Sequence, residues 1–321
     1  MIGDMSPYRL RGAQSVNLPP PSVTPPPVPG PRSAALFYPT VRNFKISENM
    51  SPRPQDRLFY NFHYYNDLNG PINTFDRTPI NNFQAFRHLF GLEKTFNAGK
   101  GSLGLRFPID TLTADSLVEG LQTPTRTAVG NLTVFGKYVL EQNPETGSLA
   151  SVGLAITAPT GPGRFASAPY VFGLNTTTFQ PFFGYIYNLN NWFFQGFSAF
   201  DFPANPRDVT LLFNDFAIGY FLLRSEDPGR FVTAIAPTFE VHVNTPLNHR
   251  NWKDRFDIAA APDVVNLTYG INVQFRRTAV LTTALITPVS SPKPFEAELA
   301  VLLNVFYGRT RASRIPITPP L

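Results

Sequence analysis

The chain has 321 residues and a formal net charge of +5, yet only 15% of its residues are charged, against about a quarter in ordinary soluble proteins. Its lysines and arginines are scattered rather than clustered, which argues against a nucleic-acid surface. It has no cysteine, which excludes a disulfide framework, a thiolate metal site and a cysteine nucleophile. No apolar run is long enough for a transmembrane helix.

With 30 Phe and 12 Tyr beside 33 Pro and 22 Gly, the composition favours strands separated by turns. The first segment, residues 1–55, reads as an extended or disordered arm. Its tract "NLPPPSVTPPPVPGP" (17–31) has the composition of a polyproline II spacer, with contact to other envelope layers as a sharper reading. The opening "MIGDMSPYRLRG" lacks the apolar stretch of a secretory signal. Either a leader precedes this sequence or export takes another route.

From Arg57 onward, alternating segments follow one another. Twelve strands are predicted, at 57–67, 84–95, 101–109, 127–141, 149–158, 178–187, 191–202, 208–224, 230–244, 263–276, 279–289 and 295–307. The clearest is "VVNLTYGINVQFR" (264–276), with Val265, Leu267, Tyr269, Ile271, Val273 and Phe275 on one face and Asn266, Thr268, Gly270, Asn272, Gln274 and Arg276 on the other. Such strands are about twice the length usual in a sandwich. Long connections follow the first, third, fifth and ninth strands, and short ones follow the even strands up to the tenth; those after the seventh and eleventh are also short. Tight turns at one end and longer loops at the other are the rhythm of an outer-membrane barrel. The predicted fold is therefore all-β: an antiparallel transmembrane β-barrel at 56–308, preceded by the proline-rich arm and followed by a tail at 309–321. One stretch, "TADSLVEGLQ" (113–122), reads as a short helix. "NWFFQGFSAFDF" (191–202) and "FFGYIYN" (182–188), with Trp192 and Tyr187, suit interfacial aromatic girdles.

Two glycine-rich stretches invite a phosphate-loop reading and fail it. In "VGLAITAPTGPG" (152–163) the last glycine is followed by Arg164 and Phe165, not by Lys and Ser/Thr opening a helix. Pro159 and Pro162 also remove N–H donors that a phosphate would need. In "NAGKGSLG" (97–104) Lys100 has no Ser/Thr at the required position, and a tight turn suffices. The four histidines lack metal-ligand spacing, and no nucleophile–base pattern marks an enzyme. No catalytic residue, cofactor or metal is expected.

Alternation assigns Asn61, His63, Arg87, Glu93, Arg106, Asn131, Lys137, Glu240, His242, Asn272, Gln274, Arg276, Glu296 and Glu298 to the barrel interior as candidate pore-lining residues. Both signs are present, so the interior either pairs with itself or leaves a weakly selective polar channel.

"ENMSPRPQDRLFYNFHYYNDLN" (48–69) and "LFGLEKTFNAGKGSLGLRFP" (89–108) resemble a group of planctomycete outer-membrane β-barrel proteins. "VGLAITAPTGPG" is similar to the strand-and-loop signature of channels assigned to the MetA pathway of phenol degradation. The resemblance covers residues 48–307 and implies a porin-like barrel with no catalytic residues. Phe306 and Tyr307 are followed by a basic tail, a departure from barrels that end on an aromatic residue. The expected function is an outer-membrane channel of a diderm bacterium, passing small solutes, apolar or aromatic ones among them, by passive diffusion. Its partners would be the lipid bilayer and the solute. A non-conducting structural or adhesive envelope barrel and a soluble all-β binding module are the alternatives.

Overall fold

The computed structural model describes residues 1–2, 12–17, 33–38, 40–41, 45, 47–117, 122–173, 175–227, 229–254, 256–257, 259–276 and 278–307. Most of the proline tract and the whole C-terminal tail lie outside these residues. Twelve strands form the barrel: β1 (Arg57–Asn66), β2 (Ile80–Phe96), β3 (Gly101–Ser116), β4 (Leu132–Gln142), β5 (Leu149–Ala158), β6 (Thr178–Leu189), β7 (Trp192–Pro203), β8 (Leu211–Tyr220), β9 (Val232–Pro246), β10 (Val264–Phe275), β11 (Ala279–Pro288) and β12 (Ala297–Phe306). Each strand pairs antiparallel with its sequence neighbours. The β1–β12 ladder, from Arg57 opposite Phe306 to Asn66 opposite Ala297, closes the sheet. The fold class and strand number are those read from the alternation.

Period two places apolar side chains outside and polar ones inside. On β10, Tyr269 and Ile271 are exposed, whereas Asn266, Thr268 and Asn272 are buried. On β12, Leu299, Leu303 and Val305 are exposed, and Glu298, Ala300, Leu302 and Asn304 are buried. An exterior of exposed Leu, Val, Ile, Phe and Tyr around a buried polar interior is the inverse of a soluble sandwich. It is the arrangement that hydrocarbon demands of a barrel. Trp192 packs on Tyr220 with ring centroids 4.8 Å apart beside the 190–191 turn, and Phe200 stacks on Phe202 at 5.4 Å toward the other end of β7.

Turns at 97–100, 143–148, 190–191 and 276–278 lie at the end where β1 begins and β12 finishes. The longer connections that follow Asn66, Ser116, Ala158 and Pro246 leave from the opposite end. The connection after β8, residues 221–231, is longer than expected, and its Leu223–Arg224 pair extends the sheet beside β9. Asn190 takes a left-handed φ of 54° in the two-residue turn, a conformation that asparagine tolerates.

Three local expectations are corrected. Thr113–Ser116 belong to β3, not to a helix, because their partners are the first residues of a longer β2; residues 118–121 lie outside the described set. The strand expected at 127–141 is broken at Gly130–Asn131: Arg126–Val129 pair with residues 109–112, and β4 pairs with residues 101–106. Pro108 sits opposite the break and has no N–H for a ladder, while its carbonyl accepts the Gly130 N–H at 2.8 Å. The described helix, Gly70–Asp76, lies in the 67–79 loop instead.

Inward aromatic rings lie over glycines of the neighbouring strand. A Cβ on Gly153 would come within 2.1 Å of the Phe182 ring, and one on Gly104 within 2.2 Å of the Phe135 ring. Gly153→Val is expected to lower barrel stability by about 1–3 kcal/mol through overpacking, measured as the midpoint of the heat-induced gel-mobility change in detergent. Wild-type protein should run at different positions unheated and boiled.

Candidate functional site

The barrel interior is a layered network of charged side chains, and the chain preceding β1 runs through it. Arg57, at the start of β1, donates from Nε to Glu93 Oε2 on β2 at 2.9 Å, and from Nη1 to Asn304 Oδ1 on β12 at 2.7 Å. Glu93 also takes Lys137 Nζ from β4 at 2.8 Å, Ser102 Oγ from β3 at 2.7 Å and the Gln55 N–H at 3.1 Å. Farther along β1, His63 lies between two carboxylates: Nε2 is 3.0 Å from Glu48 Oε1 and Nδ1 is 2.6 Å from Glu298 Oε1. Arg87 reaches Glu48 Oε2 at 3.5 Å and Asp110 Oδ1 at 3.3 Å. On the opposite wall Lys45 Nζ donates to Asp215 Oδ1 at 2.7 Å. The ring of His242 then bridges Asp215 (2.9 Å) and Glu240 (3.2 Å).

Lys45 and residues 47–52 are buried, although they belong to no strand. Unlike a strand, this segment has no ladder to satisfy its backbone, and the wall supplies the partners. Arg106 donates to the carbonyls of Lys45 at 3.1 Å and Glu48 at 3.3 Å. Lys137 Nζ donates to the Ser51 carbonyl at 2.6 Å, and Gln195 Nε2 to that of Met50 at 3.4 Å. Asn49 donates to Asn61 Oδ1 at 2.6 Å. Pro52 rests against Gly184 of β6, where an added Cβ would meet Pro52 Cγ at 2.9 Å. The Ile2 N–H reaches Glu240 Oε2 at 3.0 Å. Burial alone raises the Glu48 pKa, but Arg87 and His63 outweigh it and hold the carboxyl below the usual carboxylate range. Burial pushes the Arg53 guanidinium down to about 10.

This segment occupies the end of the expected 1–55 arm. The residues immediately before the barrel are inside it, because the buried wall charges take their partners there.

Of the candidates from alternation, His63, Arg87, Glu93, Arg106, Lys137, Glu240, His242, Asn272 and Glu298 are buried in this interior, as is Asn61. Asn131 is half-buried at the β3–β4 break, where its Oδ1 accepts the Gly161 N–H at 2.9 Å. Gln274 is half-buried near the end of β10. Arg276 and Glu296 are exposed. Both lie outside the strands: Arg276 sits over the exposed Phe231 ring and Glu296 accepts from Asn66. Beyond the strand ends alternation no longer sets direction. Arg57, Asp110, Asp215 and Asn304 were missed; Asp215 shares its buried face with Leu211, Phe213 and Ala217, so no polar alternation marks it. Lys45 and Glu48 carry no sequence signal, because no periodicity places them.

No family model matches the chain, and no curated protein matches it either. Among solved structures, an outer-membrane channel from Pseudomonas putida F1 is similar with a TM-score of 0.51 at 13% identity, over 79% of this chain and 96% of that one. The β domain of the Bordetella autotransporter BrkA has a TM-score of 0.46 at 8% identity, over 79% and 100% of the two chains. The NanC porin has 0.45 at 8% identity, over 78% and 99%. The fold is that of outer-membrane β-barrels.

Glu93 joins four strands' worth of side chains to the luminal segment, so its removal leaves Arg57 and Lys137 buried without their common carboxylate. Glu93→Ala is expected to cost about 3–5 kcal/mol, visible as a lowered denaturation midpoint of the detergent-solubilised barrel. Lys94→Ala is the exposed comparison: its ion pair with Asp56 at 3.1 Å is mostly solvated on the lysine side and should cost about 0–1 kcal/mol.

Proposed function

We propose that the protein is an outer-membrane channel of a diderm bacterium, passing small solutes by passive diffusion, and that residues 45–54 hold it closed. One observation carries this reading: besides the strands' own inward side chains, the lumen holds a separate segment that is anchored to the wall by polar contacts. A twelve-stranded barrel lies between sizes that fill themselves and sizes that leave a wide water channel. Here the remaining space is taken by chain that is not part of the wall. Near one end Arg53 donates to the Gly147 carbonyl in the 143–148 turn at 2.5 Å. At the other, residues 40–41 pair with 172–173 in the 159–177 loop.

The interior chemistry bears on the solute. Charged groups and amides line the segment's path, which favours polar solutes over the apolar or aromatic ones suggested by resemblance. The exposed apolar exterior weighs against a soluble binding module. A permanently closed structural barrel uses the same packing, and conductance separates the two.

In planar bilayers wild-type protein is expected to be closed most of the time. Lys45→Ala with Glu48→Ala removes two of the segment's charged anchors and should raise open probability by about tenfold or more, corresponding to about 1.4 kcal/mol or more of lost docking energy. A folded, heat-modifiable double variant with no conductance would identify a structural barrel instead.

A further inference from the structure

The buried basic and acidic residues of the wall are segregated around the lumen. Among the described residues, the buried lysine and arginine side chains of the barrel are Arg57, Arg87, Arg106 and Lys137, one on each of β1 to β4. Glu93 and Asp110 lie on the same wall but are engaged by Arg57, Lys137 and Arg87. On β7, β8 and β9 the buried charges are Asp201, Asp215 and Glu240, with His242 between Asp215 and Glu240, whereas Glu298, on β12 beside β1, is engaged by His63. A field therefore crosses the lumen from one wall to the other.

The segment that fills the lumen obeys this field. Its ammonium group, Lys45, goes to Asp215 at 2.7 Å; its carboxylate, Glu48, goes to His63 at 3.0 Å and Arg87 at 3.5 Å. These two side chains are three residues apart and joined by a turn in which the Glu48 N–H reaches the Lys45 carbonyl at 3.3 Å. A short piece of chain bearing one positive and one negative group thus satisfies both walls at once.

We propose that the lumen is a selective path for small zwitterions, and that Lys45 and Glu48 occupy the zwitterion site in the closed state. The proposal rests on the channel reading above. A solute ammonium takes the place of Lys45 against Asp215, and a solute carboxylate takes the place of Glu48 against Arg87 and His63. A simple cation or anion matches one wall and leaves the other without its counter-charge in a confined, poorly solvated space, where an unmatched charge is expensive. A neutral solute gains from neither wall.

The test uses four solutes of nearly one shape: isotope-labelled alanine (zwitterion), lactate (anion), alaninamide (cation) and lactamide (neutral). Uptake into liposomes is measured for the full-length Lys45→Ala, Glu48→Ala protein, with empty liposomes as the leak control. Alanine is expected to enter about tenfold faster than each of the others, the low end of what charge-lined clefts achieve. Adding Asp215→Asn should abolish that preference while lactamide still enters. Equal rates for all four solutes would overturn the zwitterion site and leave the channel standing. A preference that survives the Asp215 change would overturn the assignment of this residue. No uptake of any solute by a folded, heat-modifiable barrel would overturn the channel reading and this one with it.

Discussion

The pairing of β1 with β12 is the contact on which everything else depends. Backbone N–H and C=O groups facing hydrocarbon have no water to turn to, so a sheet in that setting must close on itself. The ladder from Arg57–Phe306 to Asn66–Ala297 does so. It also brings Asn304 beside Arg57 and Glu298 beside His63, pairs far apart in the chain. Once closed, the sheet has an outside that must be apolar and an inside from which solvent is largely removed.

Closure then turns every interior charge into a demand for a partner. A buried charge left alone is costly, whereas a paired and hydrogen-bonded one is tolerated. The wall answers part of that demand internally, through the Arg57–Glu93–Lys137 cluster and the Arg87–Asp110 pair. The luminal segment answers more of it through Lys45, Glu48 and its own carbonyl groups. Wall and segment are in this sense two halves of one electrostatic arrangement.

Packing completes what charge begins. Rings of Phe59, Phe135, Phe182 and Phe193 lie over Gly91, Gly104, Gly153 and Gly219 of adjacent strands, placing bulk where the neighbouring residue has none. The stretch "VGLAITAPTGPG" shows how a loop-like motif serves a barrel. Gly153 receives the Phe182 ring, and Gly161, past the end of β5, donates its N–H to Asn131. Its glycines are there for close approach between parts of the wall and loop, not for phosphate.

Elements whose cause is local can be read from the residues alone. Period two needs only neighbours two residues away, so twelve strands, the tight turns at 190–191 and 276–278, and the inward direction of residues such as His63, Glu93, Lys137 and Glu298 were legible. Where a partner strand decides, legibility failed. Thr113–Ser116 have a helical pattern yet extend β3 because β2 is there to pair with them, and the ladder breaks at Gly130–Asn131 opposite Pro108. That Lys45 and Glu48 belong to the lumen follows from long-range contacts alone. They lie in no periodic element, and their places are set by Asp215, His63 and Arg87, side chains that come within reach only after the barrel has closed.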